Sequence, residues 1–292
     1  MLSKELLSQV KKIEIRTRRI VDDITAGAYH SVFKGRGIEF DEVREYTPED
    51  DVRDIDWNVT ARMNAPYIKK YVEERELTVM LAVDASASSM FGSADKTKAR
   101  NAAEIAALLA FSAIRNNDRV GLLLFTDQTE LYLPPKSGKA HGMRLIRELM
   151  VRKPEHKGTN ISEALNNLMR VLHKKTVIFL ISDFIDNGDF AKLLTVANKR
   201  HDIIATRILD PSELKMPKTA NLMIEDAETG ETALFAGKNS ALLRKYAMAA
   251  DDIHKKNEEI FRRGKVDLID FRCGEDMVKP LVTFFRRRQS KN

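Results

Sequence analysis

Asp84-Ala85-Ser86-Ala87-Ser88 closes an apolar run over 77–83 with one carboxylate and two hydroxyls spaced two residues apart. Oxygen donors gathered on one turn suit a hard cation. An all-oxygen set favours Mg2+ over zinc, with Mn2+ or Ca2+ as the alternatives, and Mg2+ keeps waters that an incoming oxygen can replace. Two further pieces carry the same chemistry. Gly158-Thr159-Asn160 stands just before a helical pattern that begins near Ile161, and Asp183 follows the apolar run 176–182 in Ser182-Asp183-Phe184. Each is ordinary when taken alone, Asp84 and Thr159 as helix caps and Asp183 as a turn former. Together they point to a metal that grips a partner.

The elements that must position these residues follow from periodicity. From residue 77 onward, apolar strands at 77–83, 119–125, 176–182, 203–209 and 266–271 alternate with helices near 97–115, 141–152, 161–173 and 240–263, the last stopped by Gly264. A further short helix precedes Ile203. This alternation predicts an α/β fold, a doubly wound and mainly parallel sheet covered on both faces. In a sheet ordered 3-2-1-4-5-6 the first and fourth strands are neighbours across the switch point, so Asp84 and Asp183 face one crevice and the Thr159 loop can close over it. Glu228-Thr229-Gly230-Glu231 is a hairpin signal between two short apolar segments.

The domain organisation expected is an N-terminal region over 1–76 and the α/β domain over 77–292. Leu6, Leu7, Val10 and Ile13 give the opening 2–21 segment one apolar helical face, suited to docking on the protein's own body. Over 29–76 short alternating segments are broken by Gly35, Gly37, Pro48 and Pro66, which predicts a small β-rich appendage. With 292 residues and 43% hydrophobic content the chain can fill one large core and a smaller one. No apolar run approaches the roughly 20 residues of a membrane span, and the start lacks a secretory core, so a soluble cytoplasmic protein is expected. The single Cys273 excludes an internal disulfide framework and argues against thiolate-bound zinc. The formal charge of +6 is concentrated at the ends, in Lys11-Lys12, Arg16, Arg18-Arg19 and Arg286-Arg287-Arg288. Without the aromatics or module of a nucleic-acid groove, these read as solvated helix faces and a ragged tail.

The three loops resemble the metal-ion-dependent adhesion site of von Willebrand factor A domains, which are of Rossmann type. That resemblance implies that Ser86, Ser88 and Thr159 touch the ion, while Asp84 and Asp183 act through water and by orienting the hydroxyls. Upstream, Gly37-Ile38-Glu39-Phe40, Val43-Arg44-Glu45-Tyr46, Asp50-Asp51-Val52-Arg53, Ile55-Asp56-Trp57 and Ala61-Arg62 are similar to the signature of the domain of unknown function 58 family. Asp118-Arg119-Val120-Gly121 and Ile208-Leu209-Asp210-Pro211 carry the likeness downstream. Members of this family are bacterial or archaeal and are encoded beside MoxR-type AAA+ ATPases. The resemblance therefore implies an adaptor or co-chaperone that presents an unknown client to such an ATPase in protein assembly or maturation. The charged signature residues are expected to form a buried ion-pair network with Trp57 as its apolar plug.

An enzymatic alternative is a Mg2+-dependent phosphoryl-transfer hydrolase using Asp84. A dehalogenase-type phosphatase needs a second acid two residues on, where Ser86 stands, and Ser137-Gly138-Lys139-Ala140 lacks the remainder of a Walker loop. The histidines have no metalloprotease spacing. The expectation is a non-enzymatic, metal-dependent protein-binding module with no nucleic-acid partner and no transmembrane segment.

Overall fold

Short strands separated by capped turns make up the chain between Glu39 and Val72. The computed structural model describes residues 39–290, apart from 49, 64, 73–75, 94–95 and 220, and these fall into two compact units divided between Glu76 and Leu77. The helix expected over 2–21 and the first basic cluster lie outside the described residues. In the smaller unit Glu39–Glu45 (β1) pairs antiparallel with Tyr67–Val72 (β2). The Arg44 guanidinium donates to both carboxylate oxygens of Asp50 at 2.9 and 2.6 Å, and holds that carboxyl down at about 2. Asp51 caps the 3-10 turn Val52–Asp54 through the Arg53 amide, and Asp56 caps helix α1 (Trp57–Met63) through the Asn58 and Val59 amides at 2.9 and 3.3 Å.

The buried ion-pair network expected here is corrected by this arrangement. Arg53 and Arg62 are exposed, and Trp57 is 67% exposed at the start of its helix. The signature acids Asp51 and Asp56 serve as local caps that satisfy orphan helix amides rather than as members of one ion-pair network. Among the described side chains of this unit Ile68, rather than Trp57, is buried.

The larger unit is built on Thr78–Asp84 (β3), whose residues Val79 to Val83 are all 3% exposed or less. A strand buried on both faces requires helices above and below it. The succeeding elements are α2 (Lys98–Arg115), β4 (Arg119–Phe125), β5 (Thr129–Lys136), α3 (Lys139–Val151), α4 (Ile161–Val171), β6 (Val177–Ser182), α5 (Ala191–Arg200), β7 (Asp202–Leu209), α6 (Pro211–Leu214), β8 (Leu222–Glu225), β9 (Thr232–Phe235), α7 (Ser240–Gly264), β10 (Asp267–Arg272) and α8 (Val278–Gln289). The sheet runs β5-β4-β3-β6-β7-β10, parallel except for β5 against β4. Counted within the sheet from β3, this is the 3-2-1-4-5-6 order. The alanine-rich side of α2 packs with α3, while Met80, Ala82, Phe125 and Leu180 meet residues of α4, α5 and α7 in one core.

Three elements differ from expectation. β5 was not anticipated, because Pro134 and Pro135 hide its pattern; an edge strand can carry proline since one row of its amides has no partner strand. Gly121 on β4 allows β5 to close in, as a Cβ there would meet the Leu133 carbonyl at 2.9 Å. The arginine-rich end is not a ragged tail: α8 buries Leu281, Phe284 and Phe285, and Arg288 clamps Asp202 at 2.6 and 2.7 Å. The long helix α7 includes Gly264, and Lys265 makes the left-handed stop at φ 54°. Among the described residues no helix is long and apolar enough to cross a membrane.

Candidate metal centre

β3 ends at Asp84 and its parallel neighbour β6 ends at Ser182, so the turns after both emerge at the same edge of the sheet. The Ser86 amide donates to Asp84 Oδ1 at 2.9 Å and the Ser182 hydroxyl to Oδ2 at 2.6 Å, which engages both oxygens of a carboxylate only 5% exposed. Burial, and next the charge of Asp183, push Asp84 up to about 7. The 3-10 turn Ala87–Met90, fastened by the Ser89 hydroxyl on the Ser86 carbonyl at 2.7 Å, holds the two predicted hydroxyls together. Ser86 Oγ and Ser88 Oγ lie 3.1 Å apart, and Ser88 Oγ donates to Asp183 Oδ2 at 3.2 Å. Neighbouring ligands of a six-coordinate Mg2+ are about 3 Å apart, given metal–oxygen distances of about 2.1 Å. The spacings of 3.1 and 3.2 Å are ordinary for hydrogen bonds and are also compatible with oxygens set around one small cation.

Four of the five predicted residues, Asp84, Ser86, Ser88 and Asp183, thus join in one hydrogen-bonded cluster. Thr159 stands on the adjoining loop. That loop is tied to the first by the Ala87 amide on the Lys157 carbonyl at 2.8 Å and to the end of β4 by the Asn160 amide on the Thr126 carbonyl at 3.0 Å. The Thr159 hydroxyl donates to Glu228 Oε1 at 2.8 Å rather than to the serine cluster. Asn160, not Thr159, caps α4, accepting from the Glu163 amide at 2.9 Å.

Glu130 secures the same loop from β5. Its carboxylate accepts the Glu155 amide at 3.0 Å and the His156 amide and ring Nδ1 at 2.9 Å each. Burial opposes the charge, but these donors overcome it and draw Glu130 down to about 2; the hydrogen bond to Glu130 in turn raises His156. The sign follows from linkage. The Glu130 contribution is present above the ordinary 4.5 and is lost as pH falls toward about 2; that of His156 is full below the ordinary 6.5 and is lost as pH rises through its raised value. Amide protection factors over 155–159 are expected to fall as pH rises from 6 to 8, and Glu130→Gln to remove most of that protection at pH 6. Unchanged protection in the variant would exclude the clasp.

Sequence reasoning did not anticipate Lys98, Ser182, Glu213 or Glu228 at this site. Lys98, 2% exposed, donates to Asp183 Oδ2 at 2.6 Å and to Glu213 Oε1 at 2.5 Å. Burial works against its charge, yet Asp183 and Glu213 outweigh it and keep the ammonium protonated. One signal was available: a lysine in the first turn of a helix opposes the helix dipole, which a nearby anion offsets. A second was the capping box Asp210-Pro211-Ser212-Glu213, which fixes Glu213 over the sheet. Asp210 also accepts the Ser93 amide at 2.8 Å and the Ser93 hydroxyl, anchoring the segment between Ser88 and Lys98. Among the described residues no three His, Cys, Asp or Glu side chains form a metal set on their own, so any ion here depends on the hydroxyls. The void among Asp84, Lys98, Ser182 and Asp183 is about 10 Å3, near the volume of one water.

This sheet order, with carboxylates and hydroxyls on the loops at its carboxyl edge, defines the class: an α/β domain with a doubly wound, mainly parallel sheet of Rossmann type. Residues 42–258 match the model of the family described as protein of unknown function DUF58, and the chain belongs to that family. An uncharacterized protein of Mycobacterium tuberculosis is 28% identical over 287 residues, spanning 98% of this chain and 90% of the relative. The crystal structure of the conserved hypothetical protein BatB from Bacteroides thetaiotaomicron superposes with a TM-score of 0.50 at 18% identity, covering 74% of this chain and 100% of that one. A von Willebrand factor type A structure from Catenulispora acidiphila overlaps more loosely, with a TM-score of 0.38 and 12% identity over 74% of this chain and 42% of that one.

Proposed function

We propose that this protein is a non-enzymatic binding module that captures a carboxylate of a protein partner through Mg2+. The observation that carries the reading is the chain of contacts from Asp84 through Ser86 and Ser88 to Asp183, with oxygen spacings of 3.1 and 3.2 Å. Ser86, Ser88 and Thr159 would hold the ion directly, and Asp84 and Asp183 would orient the hydroxyls. Neutral hydroxyls beside the ion leave its charge uncancelled for a partner's Asp or Glu. Mn2+ and Ca2+ are the alternative ions. Within the family resemblance the partner is a MoxR-type AAA+ ATPase, for which this chain acts as adaptor or co-chaperone toward a client.

The phosphoryl-transfer alternative has less support. Asp84 has both oxygens committed to hydrogen bonds and is buried, which is poor provision for a nucleophile. A second reading has one observation in its favour: Lys98 already stands on Asp183, so the cluster could be a closed, metal-free ion pair.

Titration calorimetry separates them. Mg2+ is expected to bind the wild type, and Asp84→Asn to bind about 10–100-fold more weakly, the usual loss on removing an outer support of a metal ligand. Equal heats from both proteins would remove the metal reading. Recovery of a MoxR-type ATPase from native lysate in Mg2+, but not in EDTA or with Ser86→Ala, would support the partner; recovery in all conditions would detach it from the metal.

A further inference from the structure

We propose that Glu228 is a built-in carboxylate ligand of this site, which the β8–β9 hairpin holds in the position that a partner's acidic side chain would otherwise take. The inference rests on the metal reading above. Its starting point is the Thr159 hydroxyl, the third predicted ligand, which spends its proton on Glu228 Oε1 at 2.8 Å. If Thr159 holds the ion, a carboxylate oxygen within hydrogen-bonding distance of its hydroxyl would be close enough to join it as a ligand.

The hairpin is constructed to deliver that side chain. Asp226 Oδ1 accepts the Glu228 amide at 2.9 Å and the Thr229 amide at 3.0 Å, the Gly230 amide returns to the Asp226 carbonyl at 2.8 Å, and Gly230 takes the positive φ of 76° that closes the turn. Glu228 is thereby presented half-buried at the tip, while Asp226, Thr229 and Gly230 around it are exposed. The carboxylate also experiences Asp183, Asp226 and Asp186 as like charges. A divalent cation among them turns that repulsion into attraction.

The same hairpin is weakly held elsewhere, as an element that must yield should be. Its strands have four residues each, and the cross-strand pair Met223 and Leu234 is 71% and 67% exposed. Phe235 at its end is buried against Tyr246, with ring centroids 6.0 Å apart. A two-stranded hairpin with one buried anchor has little stability of its own, and such elements open at low cost. Phe235 provides the hinge and Glu228 the latch. A partner that carries an acidic side chain then has to displace Glu228, so its apparent affinity is reduced by the fraction of sites already closed.

The test uses the full chain with Glu228→Gln and Glu228→Ala. Three readouts are Mg2+ by calorimetry, amide exchange over 222–235 with and without Mg2+, and binding of a fluorescent Gly-Glu-Gly peptide in Mg2+. In the wild type Mg2+ is expected to slow exchange in the hairpin. Both variants should still bind Mg2+, lose that slowing, and bind the peptide about tenfold more tightly, the factor for a site about nine-tenths occupied by its own ligand. Normal Mg2+ binding with exchange and peptide affinity unchanged in the variants would overturn the latch and leave the metal reading standing. Absence of Mg2+ heat from wild type and variants alike would overturn both.

Discussion

Lys98→Met is expected to lower the unfolding free energy by about 3–5 kcal/mol in metal-free buffer at neutral pH, the cost of breaking a buried ion pair by deleting one partner. Met keeps most of the apolar stem, so packing is retained and the charge is what changes. The side chains of Lys98 and Asp183 are each 3% exposed and that of Glu213 is 20% exposed, so water can replace little of the lost interaction. Asp183, directly after β6, and Glu213 on α6 are left without their ammonium. A divalent cation supplies the same sign of charge at the same place. Mg2+ should therefore stabilise Lys98→Met by about 2.7 kcal/mol at a hundred times its dissociation constant, and the wild type by less at the same concentration. Urea unfolding followed by circular dichroism, with EDTA or with Mg2+, reads both quantities. A loss below about 1 kcal/mol would show that Lys98 is not the counter-charge of the cluster. Equal stabilisation of both proteins by Mg2+ would show that ammonium and ion do not compete.

The competition matters because it sets how the site can work. An ammonium within hydrogen-bonding distance of Asp183 offsets the charge of that acid when no ion is present, so in the metal reading the fold would not depend on the ion. The ion then adds binding rather than structure, unlike a structural metal whose loss unfolds its domain. Glu228 fills the complementary part, an anion brought to the same loops by a mobile element. Within this reading the protein carries an internal stand-in for the cation and another for the partner's acid.

What could be seen in the residues, and what could not, divides along sequence distance. Asp84 and Asp183 could be placed together because unbroken apolar runs mark parallel strands, and the handedness of crossover connections leaves few orders for those strands. The register of β3 against β6, Val83 opposite Ile181, then brings the two turns side by side. Ser86 and Ser88 needed only their spacing from Asp84. Lys98 meets Asp183 across 85 positions and Glu213 across 115, and Thr159 meets Glu228 across 69, and no periodicity records such encounters. Trp57 shows the reverse failure. An aromatic among alternating charges suggests a plug, but the first residue of a seven-residue helix in a small unit has little to lie against. β5 escaped because proline is read as a breaker, a rule that edge strands relax.

Phe184→Ala is expected to cost about 3–5 kcal/mol of stability and, separately, to weaken Mg2+ binding about tenfold. The first figure follows from burial: Phe184 is 1% exposed, its ring meeting Phe261 edge-on at 4.9 Å between centroids and Phe190 at 6.4 Å. The second follows from position. Phe184 comes directly after Asp183 and adopts φ 59°, a left-handed conformation that a bulky residue keeps only when its surroundings enforce it. Those surroundings are the aromatic pocket, the Asn257 amide on its carbonyl at 2.8 Å, and its own amide on Ser182 Oγ at 3.0 Å. Ser182 Oγ is the group that donates to Asp84, so the ring, the strained turn and both site carboxylates form one connected assembly. Without the ring, the turn can relax toward ordinary backbone and carry Asp183 out of reach of Ser88. Phe285→Ala is the control, since Phe285 is equally buried, on α8, with its ring against Phe284 at 5.4 Å between centroids. Both variants should lose similar stability by urea unfolding, and only Phe184→Ala should lose Mg2+ affinity, measured at a temperature where each is folded. Equal Mg2+ affinity in the two would mean that the aromatic pocket supports the fold but does not aim the carboxylate.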